Sequence, residues 1–64
     1  MATNIRLRTA RVAKGMTQLQ LATAVAVKEI DISRYETGRA QPDPETKRRL
    51  AEALGRPSYE LFNS

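Results

Sequence analysis

The sequence predicts an all-α fold, one compact domain of five short helices, and three observations predict it. Apolar residues recur in short runs at helical spacing, and no segment reads as a strand. Gly15, Gly38 and Gly55 each follow such a run, where a helix commonly ends in the left-handed conformation. Between Thr17 and Gly38 two helical segments lie so close that only a tight turn fits between them.

The first helix runs from about Asn4 to Lys14, capped by Thr3 or Asn4. Leu7, Ala10 and Val12, with Ile5 near the start, are expected to form its buried stripe. Arg6, Arg8, Arg11 and Lys14 make it strongly basic. The second runs from about Gln18 to Val25. Thr17 is its N-cap, and Gln20 completes a T-x-x-Q capping box, with Met16 and Leu21 placed as a hydrophobic staple. Leu21, Ala22 and Val25 form its apolar face. The third covers about Lys28 to Thr37. Two helices this short, joined so tightly, cannot stack antiparallel and must cross steeply. That is helix-turn-helix geometry, the arrangement that sets a second helix into the DNA major groove.

Residues 39–44, RAQPDP, form a turn-rich loop. Asp43 caps the fourth helix, Pro44 to Leu54, and Pro44 sits at the first position, where a missing N–H costs nothing. Leu50, Ala53 and Leu54 point inward and Gly55 stops the helix. Arg56-Pro57 turns the chain. Ser58 is expected to cap a last turn, Tyr59 to Phe62, whose Leu61 and Phe62 close the core.

Composition removes several function classes. The 64 residues make a single domain, taken as 1–64. A chain this small buries only roughly 60% of its unfolded surface, so modest stability is expected. It has no Cys and no His, which removes disulfides, thiolate chemistry and the usual zinc ligands. Glu29 and Asp31 are too few carboxylates for an oxygen cage, so no metal or other cofactor is expected. No apolar run approaches a membrane span and no signal peptide is read, so a cytoplasmic location without membrane contact is the expectation. An enzyme is not expected: a nucleophile would need an activated Lys or carboxylate in a pocket, and a core this small has little room for one. The net charge of +4 and pI near 10.1 suit a nucleic-acid partner.

On the third helix, Ile32 and Tyr35 point one way with Glu36 beside them, while Ile30, Arg34 and Thr37 point roughly opposite, flanked by Ser33. If Ile32 is core, the opposite face is presented to a partner. Ile30 is apolar on a polar face, with no core to enter, and suits contact with a thymine methyl.

These segments together carry a family pattern. It comprises Leu7, Ala10, Arg11, Lys14-Gly15-Met16-Thr17-Gln18, Leu21-Ala22, Val25, Val27, Ile32-Ser33-Arg34-Tyr35-Glu36 and Gly38-Arg39. It continues with Pro42, Glu45-Thr46, Leu50-Ala51, Ala53-Leu54-Gly55 and Glu60-Leu61-Phe62. The chain resembles, from about Ile5 to Phe62, the Cro/repressor-like helix-turn-helix proteins of xenobiotic-response-element type. These are bacterial and phage regulators with a five-helix, lambda-repressor-like DNA-binding domain. The resemblance implies that Thr17 presents its backbone N–H to a phosphate and that Gln18 touches phosphate or a base edge. It places base reading on Glu29, Ile30 and Arg34, with Lys28 and Ser33 beside them, and a phosphate on Arg39. Arg34 suits a bidentate contact to guanine. Arg11 and Glu36 match the family's ion pair between the first and third helices.

Several departures stand out. Ala26 occupies a turn position where the family often has Gly in the left-handed conformation, at a cost on the order of 1 kcal/mol. Lys28 replaces the usual Ser or Thr cap of the third helix. Glu29 and Asp31 favour that helix's positive end but bring negative charge towards phosphate. Glu29 can instead accept from cytosine N4, and Asp31 is expected to pair with Arg34 or Lys28. Lys47 stands where the family often has Leu, its stem expected to cover apolar surface. The implied function is sequence-specific binding of double-stranded DNA by a transcriptional regulator. Repression is the expected mode, by a weak symmetric homodimer on a palindromic operator, in a nucleoid-associated setting. The alternative is an antitoxin or adaptor whose helix-turn-helix mainly docks a protein partner. Met1 and the final helix suggest a free-standing protein.

Overall fold

The computed structural model describes residues 3–62. Positions 1, 2, 63 and 64 of the expected 1–64 domain lie outside the described residues. The helices are α1 (Ile5–Ala13), α2 (Gln18–Ala24), α3 (Glu29–Thr37), α4 (Pro44–Leu54) and α5 (Ser58–Phe62), with no strand among the described residues. The ends of α1, α2 and α3 fall one residue inside the expected spans because Asn4, Lys14, Val25 and Lys28 are caps. Asn4, and not Thr3, caps α1: its Oδ1 accepts from the Leu7 N–H at 3.0 Å. Ser58, expected as a cap, is instead the first residue of α5, and the Glu60 N–H reaches back to the Pro57 carbonyl at 3.0 Å.

The core is built from Leu7, Ala10, Leu21, Ala22, Val25, Ile32, Leu50, Leu54 and Leu61, with Met16, Val27, Tyr35, Ala51, Ala53 and Phe62 packed around it. Burying each large aliphatic side chain contributes roughly 1.5–3 kcal/mol. Ile5 and Val12, expected in this core, stand outside it: they are 61% and 58% exposed. At ~100° per residue both lie well round the helix from Leu7, so α1 carries apolar residues on two faces and only one can be inside.

α2 packs on α3 and α4, α1 on α3 and α5, and α4 on α5. Asn4 joins several of these layers. Its backbone N–H donates to the Glu36 carbonyl at 2.8 Å, and its side-chain amide donates to the Leu61 carbonyl at 2.9 Å. Asp43 accepts from the Thr46 N–H at 2.8 Å, the cap that the sequence predicts for α4. The exposed face of α4 is laced by Arg48–Glu45, Arg48–Glu52 and Arg49–Glu45 pairs. Lys47 holds its ammonium 5.5 Å from the centre of the Phe62 ring, within reach of a cation–π contact.

Candidate nucleic-acid interface

α2 begins with the capping box the sequence predicts. The Gln20 N–H donates to Thr17 Oγ1 at 3.0 Å, and the Thr17 N–H donates to Gln20 Oε1 at 2.8 Å. This second bond corrects one expectation. The Thr17 N–H is already used, so it is not an open donor for phosphate. The open backbone donors at this helix start are the N–H groups of Gln18 and Leu19.

Gln18 is also held. Its Nε2 donates to Glu36 Oε1 at 3.1 Å. The same carboxylate accepts from Arg11 twice, Nε to Oε2 at 2.6 Å and Nη2 to Oε1 at 3.2 Å. Arg11 Nη1 then donates to the Met16 carbonyl at 2.8 Å. Glu36 is only 3% exposed, so its charge has left water and needs these partners. The result is a fixed joint: one buried carboxylate ties α1, the start of α2 and the end of α3 together. An amide –NH2 has two hydrogens, and Glu36 takes one of Gln18's, so the other is free to donate outward.

The turn between α2 and α3 sets the angle of α3. Ala26 takes φ +60°, the left-handed conformation expected from its position. The Val27 N–H then returns to the Ala22 carbonyl at 3.0 Å, and Val27 packs against the core. Lys28 caps α3 by backbone geometry alone, since an ammonium cannot accept a hydrogen bond. Asp31 supplies the reciprocal bond: its Oδ2 accepts from the Lys28 N–H at 3.1 Å. This corrects the expectation that Asp31 pairs with the side chain of Arg34 or Lys28.

Ile32 is buried, which fixes the rotation of α3. Lys28, Glu29, Ile30, Arg34 and Arg39 are then exposed, and Ser33 is half-buried. Ile30 is 51% exposed on this otherwise polar face. Gly38, at φ +77°, turns the chain so that the Arg39 N–H closes on the Arg34 carbonyl at 2.9 Å. Gln18 on α2 is thus tied to α3 through the buried Glu36, and α3 exposes Lys28, Glu29, Ile30 and Arg34, with the exposed Arg39 just beyond its end.

The helix-turn-helix domain family matches residues 5–61, nearly the whole chain. The chain belongs to that family. Among solved structures, the helix-turn-helix domain is similar to the restriction-modification controller protein C.AhdI from Aeromonas hydrophila. That protein is 33% identical, with a TM-score of 0.82 over 89% of this chain and 86% of that one. No curated protein sequence matches. The all-helical, five-helix fold and the Cro/repressor-like character of the domain follow from these likenesses. None of the described helices is long and apolar enough to cross a membrane.

Two elements of the site were missed in the sequence. The Gln18–Glu36 bond spans eighteen positions and leaves no local signal. The engagement of the Thr17 N–H was visible in principle, because a complete capping box uses the N-cap donor.

Proposed function

We propose that this helix-turn-helix domain is a transcriptional regulator that reads double-stranded DNA with α3. The observation that carries the reading is the α3 face itself. Ile32 and Glu36 are anchored inside, and this leaves Glu29, Ile30 and Arg34 exposed, with Ser33 half-buried among them. In this reading Arg34 contacts a guanine edge, Ile30 a thymine methyl and Glu29 a cytosine N4 amine, with Lys28 and Ser33 beside them. Gln18 and Arg39 hold phosphates, as do the N–H groups at the start of α2, with Thr17 stabilising that start. Likeness to a restriction-modification controller protein supports a regulatory role, and repression by occupying an operator is the mode we favour.

The domain is proposed to act as a symmetric homodimer through the region from Pro44 to Phe62. Tyr59 is exposed there, and Ala53 and Phe62 are half-buried. Selection of binding sites from random duplex DNA tests the whole reading. A palindromic consensus with half-sites about 34 Å apart is the expected result. Enrichment of no sequence would sink it.

One observation favours a second reading. Glu29 is exposed at the front of α3, has no ion-pair partner among the described residues, and adjoins the exposed Ile30. An acidic and apolar pair there suits docking of a basic protein surface, as in an antitoxin or adaptor. Failure of site selection would bring that reading forward.

A further inference from the structure

Apart from Arg6 and Lys47, the cations of this molecule fall into two sets. Arg48, Arg49 and Arg56 are each paired with a glutamate on their own helix or beside it. Arg11 is locked to Glu36. Arg8, Lys14, Lys28, Arg34 and Arg39 carry no ion pair among the described residues, and Lys28, Arg34 and Arg39 already lie on the α3 face or at its end. Arg8 is the odd member, an exposed guanidinium on α1 that belongs to no motif and makes no side-chain bond within the described residues.

Arg8 lines a groove of about 250 Å³ together with Thr3, Arg11, Gln18, Glu36 and Thr37. Three things about this groove bear on its ligand. Its floor is electrically quiet, because Arg11 and Glu36 neutralise each other there. The Thr37 hydroxyl hydrogen is committed to the Ser33 carbonyl at 2.9 Å, so it offers nothing outward. The outward donors left are the second amide hydrogen of Gln18, held in place by Glu36, the hydroxyl of the exposed Thr3 and the five N–H groups of Arg8. A full positive charge next to an oriented amide donor, with no competing free carboxylate, suits a singly charged tetrahedral anion at the surface.

We propose that Arg8 and Gln18 together seat one backbone phosphate of the DNA, so that the interface extends from α2 and α3 onto α1. The inference rests on the DNA-binding reading above and extends it to a further helix. Gln18 is the shared member: Glu36 positions its amide and Arg8 supplies the charge. Nothing in this seat discriminates between bases, so it strengthens binding to every sequence alike.

The test compares salt dependence of binding to sonicated, mixed-sequence duplex DNA. Removing the neutralisation of one phosphate lowers the slope of log K against log salt by about 0.9. Arg8→Gln is expected to lower it by that amount and Arg8→Lys to leave it nearly unchanged. Lys14→Gln removes an equally unpaired charge from the other end of α1 and should not alter the slope. Urea midpoints of all three variants should match the unaltered protein, since neither side chain has an ion-pair partner among the described residues. Equal slopes for Arg8→Gln and Lys14→Gln would reduce Arg8 to diffuse charge and overturn the proposal. If Arg39→Ala weakens binding while Arg8→Gln does not, the seat alone falls. If the unaltered protein shows no salt-dependent binding to duplex at all, the DNA-binding reading falls, and the seat falls with it.

Discussion

Arg34, Arg39 and Glu29 are exposed side chains that differ in what they can tell apart. A guanidinium opposite a guanine edge is selective, whereas one opposite a phosphate is not. Arg34→Ala is therefore expected to lose ~1–3 kcal/mol of discrimination at one base pair. Arg39→Ala should weaken all sequences alike and lower the salt slope by about one unit. Glu29→Gln separates two roles. If Glu29 accepts from cytosine N4, preference at one position moves towards adenine. If it only repels phosphate, affinity rises uniformly. Titrations against single-base operator variants read all three. A flat profile for Arg34→Ala joined to a uniform gain for Glu29→Gln would remove α3 from base reading.

Arg11 and Glu36 act on the same face from beneath. Their side chains are 12% and 4% exposed, so removing either leaves its partner in a poor solvent. Breaking a buried pair typically costs ~3–5 kcal/mol. Arg11→Met is expected near the lower end, because a Glu36 left behind still accepts from Gln18. Glu36→Gln should cost less, since a Gln oxygen there could still accept from Arg11. In urea melts the double variant should lose less than the two single losses summed. Simple additivity would mean that the pair contributes nothing of its own.

At the scale of elements, α4 carries the clearest pH dependence. The Thr46 hydrogen bonds hold the Asp43 carboxyl below its ordinary range, and the Arg48 hydrogen bond does the same for Glu45. Both groups favour the folded state when ionised. Their stabilisation is present above the unfolded value near pH ~4 and is lost as pH falls through the lower folded values. Thermal melts should show an acid limb below about pH 4 that Asp43→Asn flattens, because Asn still caps but does not titrate. An unchanged limb in that variant would take Asp43 out of the account.

The elements were legible wherever the signal was local. The Thr17–Gln20 box, the Asp43-Pro44 start and the apolar runs ending in Gly all act within a few residues, and each marks a helix that stands in the expected place. Ala26 is also left-handed as expected, although only its position in the turn marks it so. The errors have a different origin. Ile5 and Val12 obey helical spacing as well as Leu7 does, and only the position of α3 and α5 decides which face of α1 is covered. Ser58 has a capping residue's chemistry, yet it lies within the helix. The Asp31–Lys28 backbone bond, the Gln18–Glu36 bond and the groove at Arg8 depend on where helices and side chains settle in space, which residue order alone does not state.

The whole molecule is small, with a radius of gyration of 10.1 Å, and association is expected to be weak. The α4 charges are largely satisfied within the helix, which leaves few of them for a partner. The protein should therefore sediment as a monomer when dilute, and dimerise when a palindromic duplex aligns two copies. A stable monomer that binds a single half-site with full affinity would reject this.

Asn4 gives the molecule a property that its helices alone would not. A five-residue helix ordinarily frays, because its few hydrogen bonds cannot offset the cost of nucleation. Here the Asn4 amide grips the Leu61 carbonyl, fifty-seven positions away, and the Asn4 backbone grips the last turn of α3. The two ends of the described chain are thereby clasped to each other and to the helix proposed to read DNA. Amide protons of α5 should then exchange with solvent only when the whole domain opens. Asn4→Ala should let them exchange through a separate, easier opening, while those of α2 keep their protection. Fast α5 exchange already in the unaltered protein would show that the clasp does not hold. If it does hold, a force or a partner acting on α5 is felt at α3 through one asparagine, and this short helix acts as the latch on the reading head.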